Sequence, residues 1–352
     1  MTQVRVAILH PEPEPEAGPL TRATAAARLE NAERHRQGFL AVGASRIDIV
    51  AGPPDARPFG ARLREIVAGL GDGGLVVLGS GAVPLATDAD RREFVEAAGR
   101  DRPGALTNNR YSADVVAVAD ARTVLAGVPD LRGDNELPRW LAEHAGVPVE
   151  DRRSRSRLGI DIDGPLDLVL LGGRWCAPVP TADTARVRAI IEAVRAVVDD
   201  PAAELVLTGR VSAANLVWLE THTASRSRAL IEERGLRTRR SGQRAAASVL
   251  GALLEGDGPG SLGDHLERLG EAAIVDARVL LAHHFGADEP GWPGSEDRFA
   301  SDLLLPARVE DPWLSELTAS AVAARIPILL GGHTLVGPGL RLALGRRATA
   351  GR

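Results

Sequence analysis

The chain has 352 residues, 44% hydrophobic and 25% charged, with 42 basic residues against 47 acidic ones and a formal charge of −5. That is the profile of a soluble globular protein long enough for two domains. It excludes a basic footprint for nucleic acid or an anionic membrane, and no apolar run approaches the ~20 residues that cross a bilayer. The sequence contains no lysine, so all 42 basic residues are arginine. A Walker A loop, a Schiff-base lysine and a lysine phosphate clamp are thereby excluded. Anion binding falls to arginine, backbone N–H groups or a metal. Cys176 is the only cysteine; it can form neither an internal disulfide nor a cysteine-rich zinc site. Next to Trp175 it reads as a buried, inert thiol.

The opening "MTQVRVAILHPEPEPEAGPL" has neither signal-peptide nor transit-peptide character, so a cytoplasmic location is expected. Within it "VRVAIL" (Val4–Leu9) predicts a strand closed by His10, and the proline-glutamate stretch interrupts regular structure. Thr21 to Val42 predicts a helix stopped by Gly43. "RIDIVAG" is a short strand, "FGARLREIVAGLG" a helix and "GLVVLGS" (Gly74–Ser80) an apolar strand. Asp88–Gly99 is a helix with an acidic first turn. "SADVVAVAD" follows as a strand, Asn135–Gly146 as a helix and "RLGIDID" as a strand. Gly172–Thr184 reads as a connection. Beyond it a helix, "AELVLTGR" (strand), "SAANLVWLETH" (helix), "SRALIEERG" (strand) and "AAASVLGALLEG" (helix) repeat the rhythm. "AAIVDARVLLAHH" predicts a long strand, "ADEPGWPGSED" a loop, "DPWLSELTASAVAAR" a helix and "IPILLGGHTLVG" a last strand. Alternating strands and helices predict α/β domains: a doubly wound, mostly parallel sheet over residues 1–171 and a second α/β domain over 172–352.

Ligands of open α/β sheets bind beyond the carboxyl ends of strands. Asn108, Asn109 and Arg110 follow "ALT" and suit hydrogen bonds to a base or phosphate. "RRSRSR" (152–157) holds four arginines in six residues, either a phosphate clamp or a solvated loop. Asp161, Asp163 and Asp167 interrupt the apolar run "RLGIDIDGPLDLVLL", where unpaired carboxylates are costly. Asp163 as an N-cap with Pro165 at the first helical position is the purely structural alternative. In the second half, Asp264, His265, Asp276, Arg278, His283, His284, Glu296, Asp297, Arg298, Asp302 and His333 form a polar constellation. His283, His284 and His333 are read there as strand-end residues, which suits a zinc or manganese site.

Three stretches, "VVLGSGAVPLATDADRREFVEAA", "GALTNNRYSADVVAV" and "DIDGPLDL", follow one another in an order that resembles the nucleotidyltransferases of the nucleotide-diphospho-sugar-transferase (GT-A) fold. The nearest patterns are 2-phospho-L-lactate guanylyltransferase and the molybdenum cofactor guanylyltransferase, and the resemblance spans roughly Val4 to Leu171. It implies nucleoside triphosphate binding and transfer of a nucleoside monophosphate to a phosphorylated small molecule. Gly18, Arg22, Gly79, Gly81, Thr107, Asn108, Asn109 and Arg110 are the implied nucleotide-binding residues. Asp161 and Asp163 are the implied ligands of Mg2+. The family's other metal-binding aspartate falls on Ala82, and the first loop keeps only Gly18 and Arg22 of its usual signature. Two alternatives follow: a non-catalytic binding or regulatory protein, and a metal-dependent enzyme working through His283, His284 and His333. Neither a nucleic-acid nor a membrane partner is expected.

Overall fold

The computed structural model describes residues 3–53, 57–173, 179–236 and 244–345; Trp175 and Cys176 lie outside them. The chain divides into two compact units, Met1–Ala17 with Thr24–Asp163, and Gly18–Ala23 with Gly164–Arg352.

The first unit is built from β1 (Val4–Pro11), α1 (Pro19–Ala41), β2 (Arg46–Gly52), α2 (Phe59–Ala68), β3 (Gly74–Gly79), α3 (Asp88–Ala98), β4 (Ala105–Thr107), β5 (Val115–Val118), α4 (Ala121–Val124), α5 (Leu137–Glu143) and β6 (Val149–Asp151). The first turn of α1 is counted with the second unit. The strands stand in the order β2-β1-β3-β5-β4-β6. Strand alternation sends Val6, Ile8, Val76 and Leu78 to one apolar layer with Phe39 and Phe94. Ala7, Leu75 and Val77 point to the other, with Leu63, Leu125 and Leu137. Strands buried on both faces need helices on both faces, and these have them.

The sheet is mostly parallel, as expected, but mixed: five strands run one way and β5 runs against them. β1 runs parallel to β2 and β3, and β4 to β6, but β5 is antiparallel to β3 and β4. The cause is the short Asn108–Asp114 connection: it closes a hairpin, whereas a parallel crossover needs about a dozen residues or more. The expected strand over "RLGIDID" is replaced by a 3-10 turn (Ser156–Gly159) and a single antiparallel bridge between Ala82 and Asp161.

At the start of α3, Thr87 accepts from Asp90 N (3.2 Å) while Asp90 accepts from Thr87 N (2.9 Å), a reciprocal cap. The Asp90 carboxylate also takes Arg155 and Arg157, Arg155 reaches Glu93 too, and Arg152 pairs with Glu93 and Glu150. Burial works to raise the Asp90 pKa, but Arg157 and the Thr87 cap hold it well below the usual carboxylate range. The arginine run is therefore paired to α3 and its own strand, which accounts for its charge without a phosphate.

The second unit comprises α6 (Pro165–Leu171), α7 (Thr181–Val198), β7 (Glu204–Gly209), α8 (Ala213–His222), β8 (Arg226–Ile231), α9 (Val249–Asp257), α10 (Leu262–Glu267), β9 (Ala272–Asp276), α11 (Ala277–Phe285), α12 (Ser295–Asp302), α13 (Pro312–Ala323), β10 (Ile328–Gly331), α14 (His333–Val336) and α15 (Leu340–Leu344). Its sheet is parallel throughout, in the order β10-β9-β7-β8. The units divide at Asp163/Gly164 rather than at 171/172, because Leu166 and Val169 of α6 are buried in the second unit's core. Gly164 caps α6, Pro165 opens it, and Asp167 accepts from Gly164 N (2.8 Å). Asp163 is thus not the cap. The long strand expected over "AAIVDARVLLAHH" ends at Asp276, and the rest is α11, so His283 and His284 sit at a helix end. The expected loop before Asp297 already contains the start of α12 at Ser295.

At the carboxyl ends of β7 and β9, Arg210 holds Asp276 with two bonds of 2.6 and 3.0 Å, and the two side chains are 6% and 0% exposed. Burial pushes the Asp276 pKa up, and the Arg210 guanidinium overcomes this and keeps it low. Removing one member strands a buried charge, which costs about 3–5 kcal/mol, while an apolar pair of similar volume is often neutral. Arg210→Met is expected to lower the urea-unfolding free energy by that amount. Arg210→Met with Asp276→Leu is expected to recover most of the loss.

Candidate functional site

Because β5 runs against β3, its amino end shares one edge of the first unit's sheet with the carboxyl ends of β1 and β3. A cleft of about 390 Å³ lies at this edge, lined among others by Arg28, Ser80, Gly81, Asp114, Asp134 and Asp161.

The loop after β3 is fixed from beneath. Asn31 Nδ2 donates to the carbonyls of Ser80 (2.8 Å) and Ala82 (2.9 Å), and His35 Nε2 donates to Ala82 O (2.8 Å). Burial pulls the His35 pKa down to about 4, so this imidazole is a neutral strut at physiological pH. Ser80 N donates to Leu9 O (2.8 Å), and Ile162 N to Gly81 O (3.1 Å). A Cβ on residue 81 would stand 2.7 Å from Asp161 Oδ1 and 2.9 Å from Ile162 O, so only glycine lets Asp161 come this close.

Asp161 Oδ1 accepts its neighbouring amide, Ile162 N, at 2.8 Å. Its pKa is pushed up to about 7, first by burial and then by the charge of Asp163, with Arg28 opposing. Asp114 is raised well above the carboxylate range by burial and by the charges of Asp161 and Asp134. Arg28 donates Nε to Ile162 O (2.6 Å) and Nη2 to Asp163 O (3.1 Å), and Nη2 lies 3.9 Å from Asp163 Oδ1. Crowded carboxylates beside one arginine are a frequent signature of a working site.

Of the residues expected from sequence, Gly79, Gly81 and Asp161 line this cleft. Thr107 and Asn108 are buried beneath it. Asn108 Nδ2 donates to Asp114 Oδ2 (2.7 Å) and Leu158 O (2.8 Å), and its Oδ1 accepts from the amides of Asp114 (3.0 Å) and Val115 (3.3 Å). With both N–H groups and its oxygen engaged, Asn108 orients Asp114 rather than a ligand. Thr107 Oγ1 donates to Val115 O (2.9 Å), and Asn109 accepts from Tyr111 N (3.0 Å) within the turn that also carries half-buried Arg110. Asp163 is half exposed beside Arg28.

Gly18 and Arg22 belong to the second unit and do not line the cleft. Glu296 accepts from Leu20 N (3.0 Å), Thr21 N (2.9 Å) and Thr21 Oγ1 (2.9 Å), so a carboxylate already fills the start of α1 where a phosphate was expected. A Cβ at Gly18 would lie 2.2 Å from Glu296 Cδ, and Arg22 is exposed.

The second half's polar constellation resolves mostly into pairs. Besides Arg210–Asp276, Arg278 holds Asp302, His265 lies 3.0 Å from Asp257, and Arg298 pairs with Glu289. Asp297 accepts from Glu310 N and Asp311 N. His283 Nδ1 accepts from Ser248 N (3.1 Å), and His284 stacks on Trp313 at 4.5 Å. Among the described residues no group of three or more His, Cys, Asp or Glu side chains is arranged to hold a metal ion. That also bears on the first unit. Mg2+ itself takes one or two protein carboxylates and completes its shell with phosphate oxygens and water, so it does not require a group of three.

No protein-family model matches the chain, and no curated protein matches its sequence. No helix among the described residues is long and apolar enough to cross a membrane.

A carboxyl with a folded pKa of about 7 against an ordinary 3.8 binds its proton more tightly in the native state. Its stabilising contribution is full below about pH 4 and is lost as pH rises through about 7. Asp161→Asn is therefore expected to raise the melting temperature at pH 8 and to flatten the fall in stability between pH 5 and 8. A purely structural aspartate would give a lower melting temperature at every pH.

Proposed function

We propose that the first unit binds a nucleoside triphosphate with Mg2+ in this cleft and transfers its nucleoside monophosphate to a phosphorylated small molecule. The observation that carries the reading is the convergence of Asp114 and Asp161 with Arg28 and the Gly79–Gly81 backbone at one sheet edge. The resemblance of the three ordered motifs points the same way. Asp161 and Asp114 would hold Mg2+, with Asp114 supplying the carboxylate that the motif lacks at Ala82. Bound there, the ion would neutralise charge on the phosphates. Arg28 Nη1, which makes no hydrogen bond among the described residues, faces the same charge as a direct donor. Asn108 keeps Asp114 aimed, and the Asn31–His35 struts keep the β3 loop from yielding.

A second reading has a specific observation behind it. Glu296 occupies the start of α1, and the chain has no lysine, so one usual phosphate-binding element is absent. A protein that binds nucleotide without turning it over would look like this.

Millimolar NTP with Mg2+ is expected to raise the melting temperature, since a ligand at 100 times its Kd stabilises by roughly 2.7 kcal/mol. The Mg2+-dependent part should vanish in Asp161→Asn. No shift with any of the four nucleoside triphosphates sinks both readings. A shift without release of pyrophosphate over a panel of phosphorylated acceptors favours the binding protein.

A further inference from the structure

We propose that Ser80 is a nucleophile activated by His10, so that phosphoryl chemistry in this cleft passes through a covalent seryl intermediate. His10 is the penultimate residue of β1 and Ser80 follows β3, two adjacent parallel strands, and His10 Nδ1 lies 3.0 Å from Ser80 Oγ. Both are buried, at 5% and 2% exposure, and Ser80 lines the cleft. Burial and the nearby Arg28 charge lower the His10 pKa, which favours the neutral base at physiological pH. A nucleophile within hydrogen-bond reach of a base is the arrangement covalent catalysis requires.

Two further features fit a reacting phosphorus or acyl centre. The amide of Gly81, the residue after the serine, donates to no acceptor among the described residues, and Gly81 also lines the cleft. The N–H following a nucleophile is a common oxyanion donor. Arg28 stands in the same cleft with Nη1 uncommitted among the described residues. Three residues beyond the serine, Val83 holds the left-handed φ of 40°. Asn31 and the Leu9 carbonyl pin Ser80's backbone, and His10 is the partner of its hydroxyl.

This step rests on reading the cleft as a phosphoryl-transfer site. Ser80 Oγ attacks the α-phosphorus of the bound nucleotide, and its proton passes to His10 Nδ1. The Oγ–P bond forms, the bond from phosphorus to the bridging oxygen breaks, and pyrophosphate leaves with the electron pair. The acceptor oxygen then displaces Ser80, which recovers its proton from His10.

The test separates reactivity from nucleotide recognition. A fluorophosphonate probe reacts with an activated serine by forming an O–P bond and expelling fluoride. It is expected to add once to Ser80 in the full-length protein, mapped by peptide mass. It should not add to Ser80→Ala, and it should add at least ten times more slowly to His10→Asn. NTP with Mg2+ should protect Ser80 and leave a nucleoside-monophosphate adduct there. If His10→Asn misfolds, Ser80→Cys gives the second measurement. The thiol it introduces should be alkylated by iodoacetamide at least ten times faster than free cysteine at pH 7. No adduct on Ser80 together with an unreactive thiol in Ser80→Cys overturns the proposal, as does probe labelling equally fast in a folded His10→Asn. Probe labelling that depends on His10, without protection by any NTP, keeps the activated serine and rejects nucleotide as its substrate.

Discussion

Like charges held together away from water repel one another, and the first unit's cleft is organised around that repulsion. Asp161, Asp114 and Asp134 face one space, with Asp163 close behind. Elsewhere the chain sets arginine directly on a carboxylate, two at Asp90 and one at Asp276. Here arginine is not scarce: 42 residues are available, yet among the described residues Arg28 alone lines the cleft. The crowding persists because the surroundings over-determine it. Gly81 permits the approach, the bridge to Ala82 sets its height, and Asn108 fixes the opposite carboxylate.

The contrast between the two units sharpens the point. In the second, polar residues near the strand ends are largely matched: a fully buried arginine-aspartate pair, an arginine-aspartate fork at Arg278, histidines beside carboxylates. Matched pairs are costly to break but ask for nothing from outside. In the first, Arg152, Arg155 and Arg157 are likewise paired to α3, and Arg153 to Asp151. At the first unit's cleft three aspartates share one edge of the sheet beside a single arginine.

Much of this was legible from residue order. Apolar runs such as "VRVAIL" and "GLVVLGS" pointed to β1 and β3, and the start of α3 at Asp88 followed from its acidic first turn. Asp161 and the Gly79–Gly81 turn could be picked out because they sit after strands or interrupt an apolar run. Asp114 could not be found by searching past strand ends, since it precedes an antiparallel strand. The signal was the shortness of "NNRYSAD", which forbids a crossover. Arg28 and Asn31 sit mid-helix, where sequence gives no hint that a side chain reaches a loop. The capture of Gly18's neighbours by Glu296 joins residues too far apart for any local pattern to reveal.

That last contact has a consequence in time. Leu20 and Glu296 are separated by 276 positions, so during synthesis the opening turn of α1 emerges long before its carboxylate exists. At ordinary elongation rates of about 5–20 residues per second the wait is roughly 14–55 s. Through that interval the helix start must remain hydrated or be held by something else. Ribosome-bound chains stopped before Glu296 would carry α1 with its first amides open to solvent. Chains released past it would close them.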